Sequence, residues 1–350
     1  MEGLVSPAGR FAGRRVLVTG HTGFKGSWLS LWLSRKRAIV TGFSDTIPTS
    51  PSHFAALDID IDDRRGDIGD SATIDAVIAE TRPEIIFHFA AQALVRRAYA
   101  DPLSTYRTNV LGTLGVLQSA HRHGVGAVAV ATTDKVYRND ESGRRYVETD
   151  ELGGSDPYSA SKSCVELMVR SFQESFARDG SMLIATVRAG NVIGGGDWAE
   201  DRLLPDLMRS AFGDAPAVIR NPHSTRPWQH VLDVLTGYLM VGAGLLEGDR
   251  TVADAWNLGP EGDASICVQD LIDAIGASLP LEVNIQASSD DRHESGLLQL
   301  DSSKAMSRLG WQPRWESEMI ERTIAWYRAY HESGSVISNG QLDAYEAALG

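Results

Sequence analysis

The stretch "RRVLVTGHTGFKGSWLSLWLSRK", residues 14–36, decides the fold. A short β-branched run ends at Gly20, glycines recur at 23 and 26, and a segment with helical spacing follows. Glycine permits a tight turn and close approach of backbone to ligand, and the free N–H groups at a helix start suit the phosphates of a dinucleotide. Glycine turns after strands are common, so the GxxGxxG spacing takes its weight from lying between a strand and a helix.

Strand and helix alternate downstream. "AIVTGFS" (38–44), "EIIFHFAA" (84–91), "AVAVATT" (127–133) and "LIATVRAGNV" (183–192) read as strands, with helices expected over 71–83, 101–124 and about 158–178. Continuous apolar strands alternating with helices predict an α/β fold, a Rossmann-type doubly wound parallel sheet. Beyond Gly190 glycine, proline and tryptophan cluster and the pattern turns irregular, which predicts a smaller C-terminal substrate-binding lobe. The expected division is a dinucleotide-binding domain over 11–190, with roughly 226–258 returning to it, and a lobe built from 191–225 and 259–330. Residues 1–10 and 335–350 read as terminal segments without a strong pattern.

The 350 residues are 43% hydrophobic and carry a net charge of −13. That charge argues against a nucleic-acid partner and requires any anionic ligand to be held by local basic groups. No apolar run reaches the length of a membrane span, and the N-terminus lacks the apolar core of a signal peptide. A cytoplasmic enzyme or binding protein with no membrane partner is expected. Cys164 and Cys267 lack metal-type spacing and are expected as buried thiols, and His21, His88, His121 and His230 suggest no metal site.

"ATTDKVYRN" (131–139) ends a buried strand with an acid beside a base. Thr133 falls at the carboxyl end of a parallel strand, the edge where open α/β sheets bind ligands, and Asp134 and Lys135 follow it there. "YSASK" places Tyr158 and Lys162 four apart on one helix face. An ammonium one turn from the phenol favours the phenolate, against a tyrosine reference of about 10. A surface Tyr/Lys pair and a salt-bridged strand end are the plain alternatives. Thr133, Tyr158 and Lys162 suffice for a dehydrogenase or epimerase, whereas Asp134 and Lys135 suggest a second chemical event. Asp45, after the second strand, is either the ribose acid that would select NAD over NADP or a turn residue. Asp67 and Ile68 stand where an acid would meet an adenine amino group, or in a plain loop.

Together with "HFAAQALVRRAY", "RAGNVIGGGDWAEDRLLPD", "IRNPHSTRPWQHVL" and "LLQLDSSKAMSRLGWQPRW", these motifs resemble the sugar-nucleotide dehydratases of the extended short-chain dehydrogenase/reductase family, over about residues 11–328. The Asp134-Lys135 pair is similar to the cytidine-linked branch, where thymidine-linked relatives carry Asp-Glu. "VLDVL" departs from the branch, which tends to have Glu-Pro at Asp233-Val234.

The resemblance implies NAD as cofactor, a nucleotide diphosphate hexose (CDP-glucose) as substrate, and a homodimer. It implies Thr133, Asp134, Lys135, Tyr158 and Lys162 as catalytic residues. Around the cofactor it implies Gly20, Thr22, Gly23, Phe24, Lys25, Gly26, Asp45, Asp67, Ile68, Phe89, Ala90, Ala91, Gln92, Asn109, Thr132 and Arg188, besides Tyr158 and Lys162. Around the substrate it implies Gln92, Asn191, Arg202, Leu204, Arg220, Arg226 and His293, since guanidinium forks suit phosphate oxygens. Trp228 stacks on ligand or, preferably, packs. Tyr158 would take the sugar C4 hydroxyl proton, and Asp134 would act as acid at the C6 oxygen. Lys135 would remove the C5 proton or stabilise the enolate, and burial beside Lys162 is expected to depress its pKa. A nucleotide-sugar 4-epimerase would share the Thr/Tyr/Lys set but has no use for Asp134-Lys135. A non-enzymatic NAD(P) sensor of this fold would not need the Tyr/Lys pair.

Overall fold

A computed structural model describes residues 6–213, 215–260, 266–286 and 298–350. Seven strands form its central sheet: β1 (Arg15–Thr19), β2 (Ile39–Ser44), β3 (Asp62–Arg65), β4 (Ile85–His88), β5 (Ala127–Ala131), β6 (Leu183–Ala189) and β7 (Ala255–Leu258). Their order is β7-β6-β5-β4-β1-β2-β3, and every neighbouring pair is parallel. Parallel strands covered on both faces must be apolar on both, which is why β1, β4, β5 and β6 read as nearly continuous hydrophobic runs, whereas the edge strand β3 is the charged, largely exposed Asp62–Arg65.

Alternate residues of each strand point to opposite faces. Val16, Val18, Ile85 and Phe87 join one core with the helices Phe24–Arg35 and Val231–Leu246. Leu17, Ile86, Val128 and Ile184 join the other, under the helices Ser71–Thr81, Gly112–Arg122 and Pro157–Phe176. The strand order reverses between β1 and β4, and such a switch point opens a crevice at the carboxyl edge of the sheet.

Four local features differ from the expectations. The strand expected over 183–192 breaks at Gly190, and Asn191–Ile193 pairs instead with Trp228–His230 outside the central sheet. The helix expected over 101–124 is interrupted by a π-turn at Arg107–Leu111, with α-helix at Pro102–Tyr106 before it and Gly112–Arg122 after it. Cys164 is exposed and Cys267 half-buried, so neither is the buried thiol expected. The patternless tail forms a helix, Ser338–Leu349, whose Tyr345 hydroxyl donates to Asp233 at 2.7 Å. Asp233 also accepts the Arg314 N–H at 2.6 Å, so the carboxylate that departs from the branch pattern ties two later segments to the helix Val231–Leu246. Trp228 is buried and donates its indole N–H to the Ile266 carbonyl at 3.3 Å, a packing role.

Candidate active site

The glycine loop closes tightly on the crevice. Gly20 has φ +74°, and a Cβ there would meet the Ala90 nitrogen at 2.7 Å; at Gly26 a Cβ would meet the Gly20 oxygen at 2.1 Å. Side chains are therefore excluded where backbone must approach a ligand. The helix starting at Phe24 has Gly23 as cap, no side-chain cap bond and no acid in its first turn. Its N-terminal N–H groups suit a pyrophosphate. This cradle fits a dinucleotide such as NAD, with half-buried Phe89, Ala90 and Ala91 along the opposite wall.

Thr22 donates to the Thr46 carbonyl at 2.7 Å, fixing the loop to the end of β2. Asp45 is exposed there, its carboxylate accepting the Thr46 N–H at 2.7 Å. Asp67 accepts the Gly69 N–H at 2.8 Å, and Ile68 is buried beneath. Lys25 reaches over the rings of Phe89 and Tyr238, 5.7 and 5.9 Å from their centroids. Burial, aided by the Arg202 charge and opposed by Asp134, lowers its ammonium to about 8.

At the end of β5 the chain turns through a single 3-10 turn, Asp134–Val136, capped by Thr133. The Thr133 hydroxyl donates to Asp134 Oδ1 at 2.8 Å, and Lys135 Nζ donates to the same oxygen at 3.0 Å. The Asp134 side chain is 2% exposed and that of Lys135 22%. Tyr158 and Lys162 enter from the first turns of the helix Pro157–Phe176, which is started by Pro157 and by Asp156 accepting the Ser159 N–H at 3.0 Å. A cavity of about 270 Å³ lies beside Lys135, between Gly154, Ser155, Ser159 and Leu298.

The electrostatics correct two expectations. Lys162 donates to the Ala131 carbonyl at 2.9 Å, and burial with the nearby Lys25 charge lowers its ammonium to about 7. Burial pushes the Tyr158 phenol above the ordinary tyrosine range, and the groups that oppose this are Lys135, the Thr133 hydroxyl and Arg202 rather than Lys162. Lys135 is not depressed. Burial acts in that direction, but the Asp134 carboxylate and the Tyr158 phenol outweigh it and hold the ammonium above the usual lysine range.

Beneath the Asp134–Val136 turn lies a buried polar network. Glu166 takes two hydrogen bonds from Arg188, at 3.0 and 2.8 Å, and one each from Thr132 at 2.6 Å and Thr186 at 2.7 Å. Arg188 also donates to the Tyr137 hydroxyl at 2.7 Å, which in turn donates to Asn257 at 2.7 Å. Thr132 and Arg188, expected at the cofactor, are engaged in this network, which ties the ends of β5 and β6 together. Asn109, in the π-turn, exchanges hydrogen bonds with the Gln92 backbone at 2.8 and 3.1 Å and donates to Ser161 at 2.9 Å. The Gln92 side chain closes its own turn through Leu94 and Thr105.

Among the residues expected at the substrate, Asn191 is half-buried at the head of its strand. Arg202 pairs with Asp197 at 3.1 Å and acts electrostatically on both Tyr158 and Lys25. Arg226 acts on Lys135 in the same way. Arg220 lies 3.7 Å from Asp201. Leu204, expected at the substrate, is buried in the apolar core instead. His293 lies outside the described residues. Sequence reasoning missed Glu166, Asp201 and Arg96. "LVRRAY" carried the only hint, a basic pair that begins four residues after Gln92.

Residues 17–324 match the family model described as GDP-mannose 4,6 dehydratase. The CDP-glucose 4,6-dehydratase of Salmonella typhimurium is 42% identical over 348 residues, 96% of this chain and 97% of that one. Among solved structures, the epimerase Mth375 of Methanothermobacter thermautotrophicus superimposes with a TM-score of 0.82 at 25% identity, covering 94% of this chain and 97% of its own. DesIV, a dTDP-glucose 4,6-dehydratase from Streptomyces venezuelae solved with NAD bound, gives 0.76 at 25% identity, covering 90% and 97%. With a model matched over most of its length and a relative so similar end to end, the chain belongs to the GDP-mannose 4,6-dehydratase family of extended short-chain dehydrogenases/reductases.

Proposed function

We propose that the protein is an NAD-dependent CDP-glucose 4,6-dehydratase, making CDP-4-dehydro-6-deoxy-D-glucose and water. The observation that carries this is the 3.0 Å contact between Lys135 and Asp134 beside Tyr158, because a 4-epimerase has no use for a second proton-transfer pair. The cytidine assignment is supported by the 42% identical relative.

NAD, when bound in the glycine cradle, supplies the oxidation at C4 and the later reduction at C6. Tyr158 takes the C4 hydroxyl proton, and Lys135 and Thr133 offset the burial that disfavours its phenolate. A 4-ketone acidifies the C5 hydrogen. Lys135 begins as an ammonium, so it must first lose a proton to serve as base, and Asp134 is in contact to receive it. Neutral Lys135 then takes the C5 proton while protonated Asp134 passes its own to the C6 hydroxyl, which leaves as water. After water leaves, the pair is again ammonium and carboxylate. Lys135 returns a proton to C5 once C6 is reduced, and the proton that Tyr158 took from the C4 hydroxyl recharges Lys135 and restores the phenolate. Arg202, Arg220 and Arg226 hold the diphosphate within an acidic protein.

A homodimer is part of the proposal. Leu103, Leu111, Leu167 and Phe176 are exposed on neighbouring helical segments, a surface that a second copy would cover. No described helix is long and apolar enough to cross a membrane, and a cytoplasmic location is proposed. Separate incubations with CDP-, dTDP-, UDP- and GDP-hexoses, with products weighed for loss of one water, test the reading. Water loss from CDP-glucose alone is expected. Conversion of any of them to an isomer of unchanged mass would replace it with an epimerase.

A further inference from the structure

Asp201 adopts a left-handed backbone conformation, φ +57°, which is uncommon for a residue with a side chain. It occupies the turn just before Arg202, the residue that caps the helix Leu203–Phe212 and acts on Tyr158. Its carboxylate lies 3.8 Å from Arg96 and 3.7 Å from Arg220. These arginines come from separate segments. Arg96 belongs to the short helix Val95–Ala100 that follows the crevice wall at Gln92, and Arg220 directly follows the strand Ala217–Ile219 of the C-terminal lobe. All three side chains are half-exposed, so the two contacts are weak ion pairs. Asp206 also acts on Arg220, but Asp201 alone is in reach of both guanidinium groups among the described residues.

We propose that Arg96 and Arg220 form the two sides of one anion seat, and that the Asp201 carboxylate competes with the substrate's diphosphate for it. Arg96 thereby becomes a further substrate-binding residue, and Asp201 a built-in counter-anion that is exchanged when a nucleoside diphosphate enters. The inference rests on the nucleotide-sugar reading given above. A diphosphate offers several charged oxygens in the geometry that guanidinium forks prefer, so it outcompetes a single carboxylate held at long range. Asp201 partly offsets the two guanidinium charges in the meantime, and it weakens binding of anions that cannot reach both.

Calorimetric titration of the NAD-loaded full-length protein with CDP and with cytidine tests this. Asp201→Asn removes the charge while retaining tolerance of the left-handed backbone, and Asp201→Gly is the second variant should the first melt early. Each is expected to bind CDP about three- to tenfold more tightly, with cytidine binding unchanged. Arg96→Gln is expected to bind CDP about tenfold more weakly, and adding Asp201→Asn to it should recover less than the single change gains in the parent. If the parent binds CDP and both Asp201 variants bind it equally or less tightly, the competition is refuted and the nucleotide site stands. If CDP and cytidine binding change in step, Asp201 acts only on loop shape and the proposal fails. If the parent binds no CDP at all, the nucleotide reading falls and takes this inference with it.

Discussion

Lys135 Nζ lies 3.0 Å from Asp134 Oδ1, the oxygen that also accepts the Thr133 hydroxyl. The pair sits on one short turn at the carboxyl end of β5, so its two members are neighbours in the chain. An ammonium held above its usual range cannot act as a base unaided. The carboxylate beside it resolves this by receiving one proton and delivering it elsewhere. Asp134→Asn should therefore lower kcat by roughly 10²- to 10⁴-fold while sugar oxidation in a single turnover persists. Stopped-flow absorbance of the nicotinamide beside steady-state product formation separates the two.

Glu166 and Arg188, each 4% exposed, hold one another and the strand ends below the Asp134–Val136 turn. Removing one member of a buried pair leaves the other charge without compensation. Glu166→Gln is expected to destabilise the protein by about 3–5 kcal/mol in urea unfolding. A loss below about 1 kcal/mol, the ordinary scale of an exposed pair, would contradict the network's role.

The Lys162 ammonium falls from 10.5 in the unfolded chain to about 7 in the fold, chiefly through burial. The folded state then binds fewer protons than the unfolded one between these values, so this lysine's penalty is full below pH 7 and fades toward pH 10.5. Lys162→Met removes the penalty. Its melting temperature relative to the parent should thus be most favourable near pH 6 and decline steadily up to about pH 10, on top of a constant loss from the Ala131 hydrogen bond. A difference that does not vary with pH would show that Lys162 is not depressed.

Tyr345 fixes the last helix by its bond to Asp233, and its hydroxyl also accepts from Thr236 at 3.1 Å. Tyr345→Phe leaves a buried carboxylate with one donor fewer and should cost about 1–3 kcal/mol, read as a lowered thermal midpoint. An unchanged midpoint would mean that the helix docks through apolar contacts alone.

Much of this site was legible before any coordinates. Gly20, Gly23, Tyr158 and Lys162 stand at fixed spacings within single elements, and Asp134-Lys135 adjoin in the chain, so their proximity follows from local geometry. The direction of the Lys135 shift was not legible, because it depends on whether Asp134 or Lys162 is the nearer charge. Glu166 with Arg188, and Asp201 with Arg96 and Arg220, are pairings across the fold with no local signal. Leu204 entered the site only through the family resemblance; its side chain is buried on the inward face of the helix Leu203–Phe212. The tail helix escaped notice because it buries only Ser338, Gln341, Leu342 and Tyr345, too few to show an apolar stripe. The π-turn at 107–111 has the same apolar spacing as the helix it interrupts.

The most direct test of the proton relay is a single turnover of Lys135→Met with CDP-glucose in deuterated water, followed by mass analysis of the recovered sugar. Oxidation at C4 with no deuterium at C5 is the predicted result. Deuterium at C5 at the parent's level would contradict it and move the base to another group.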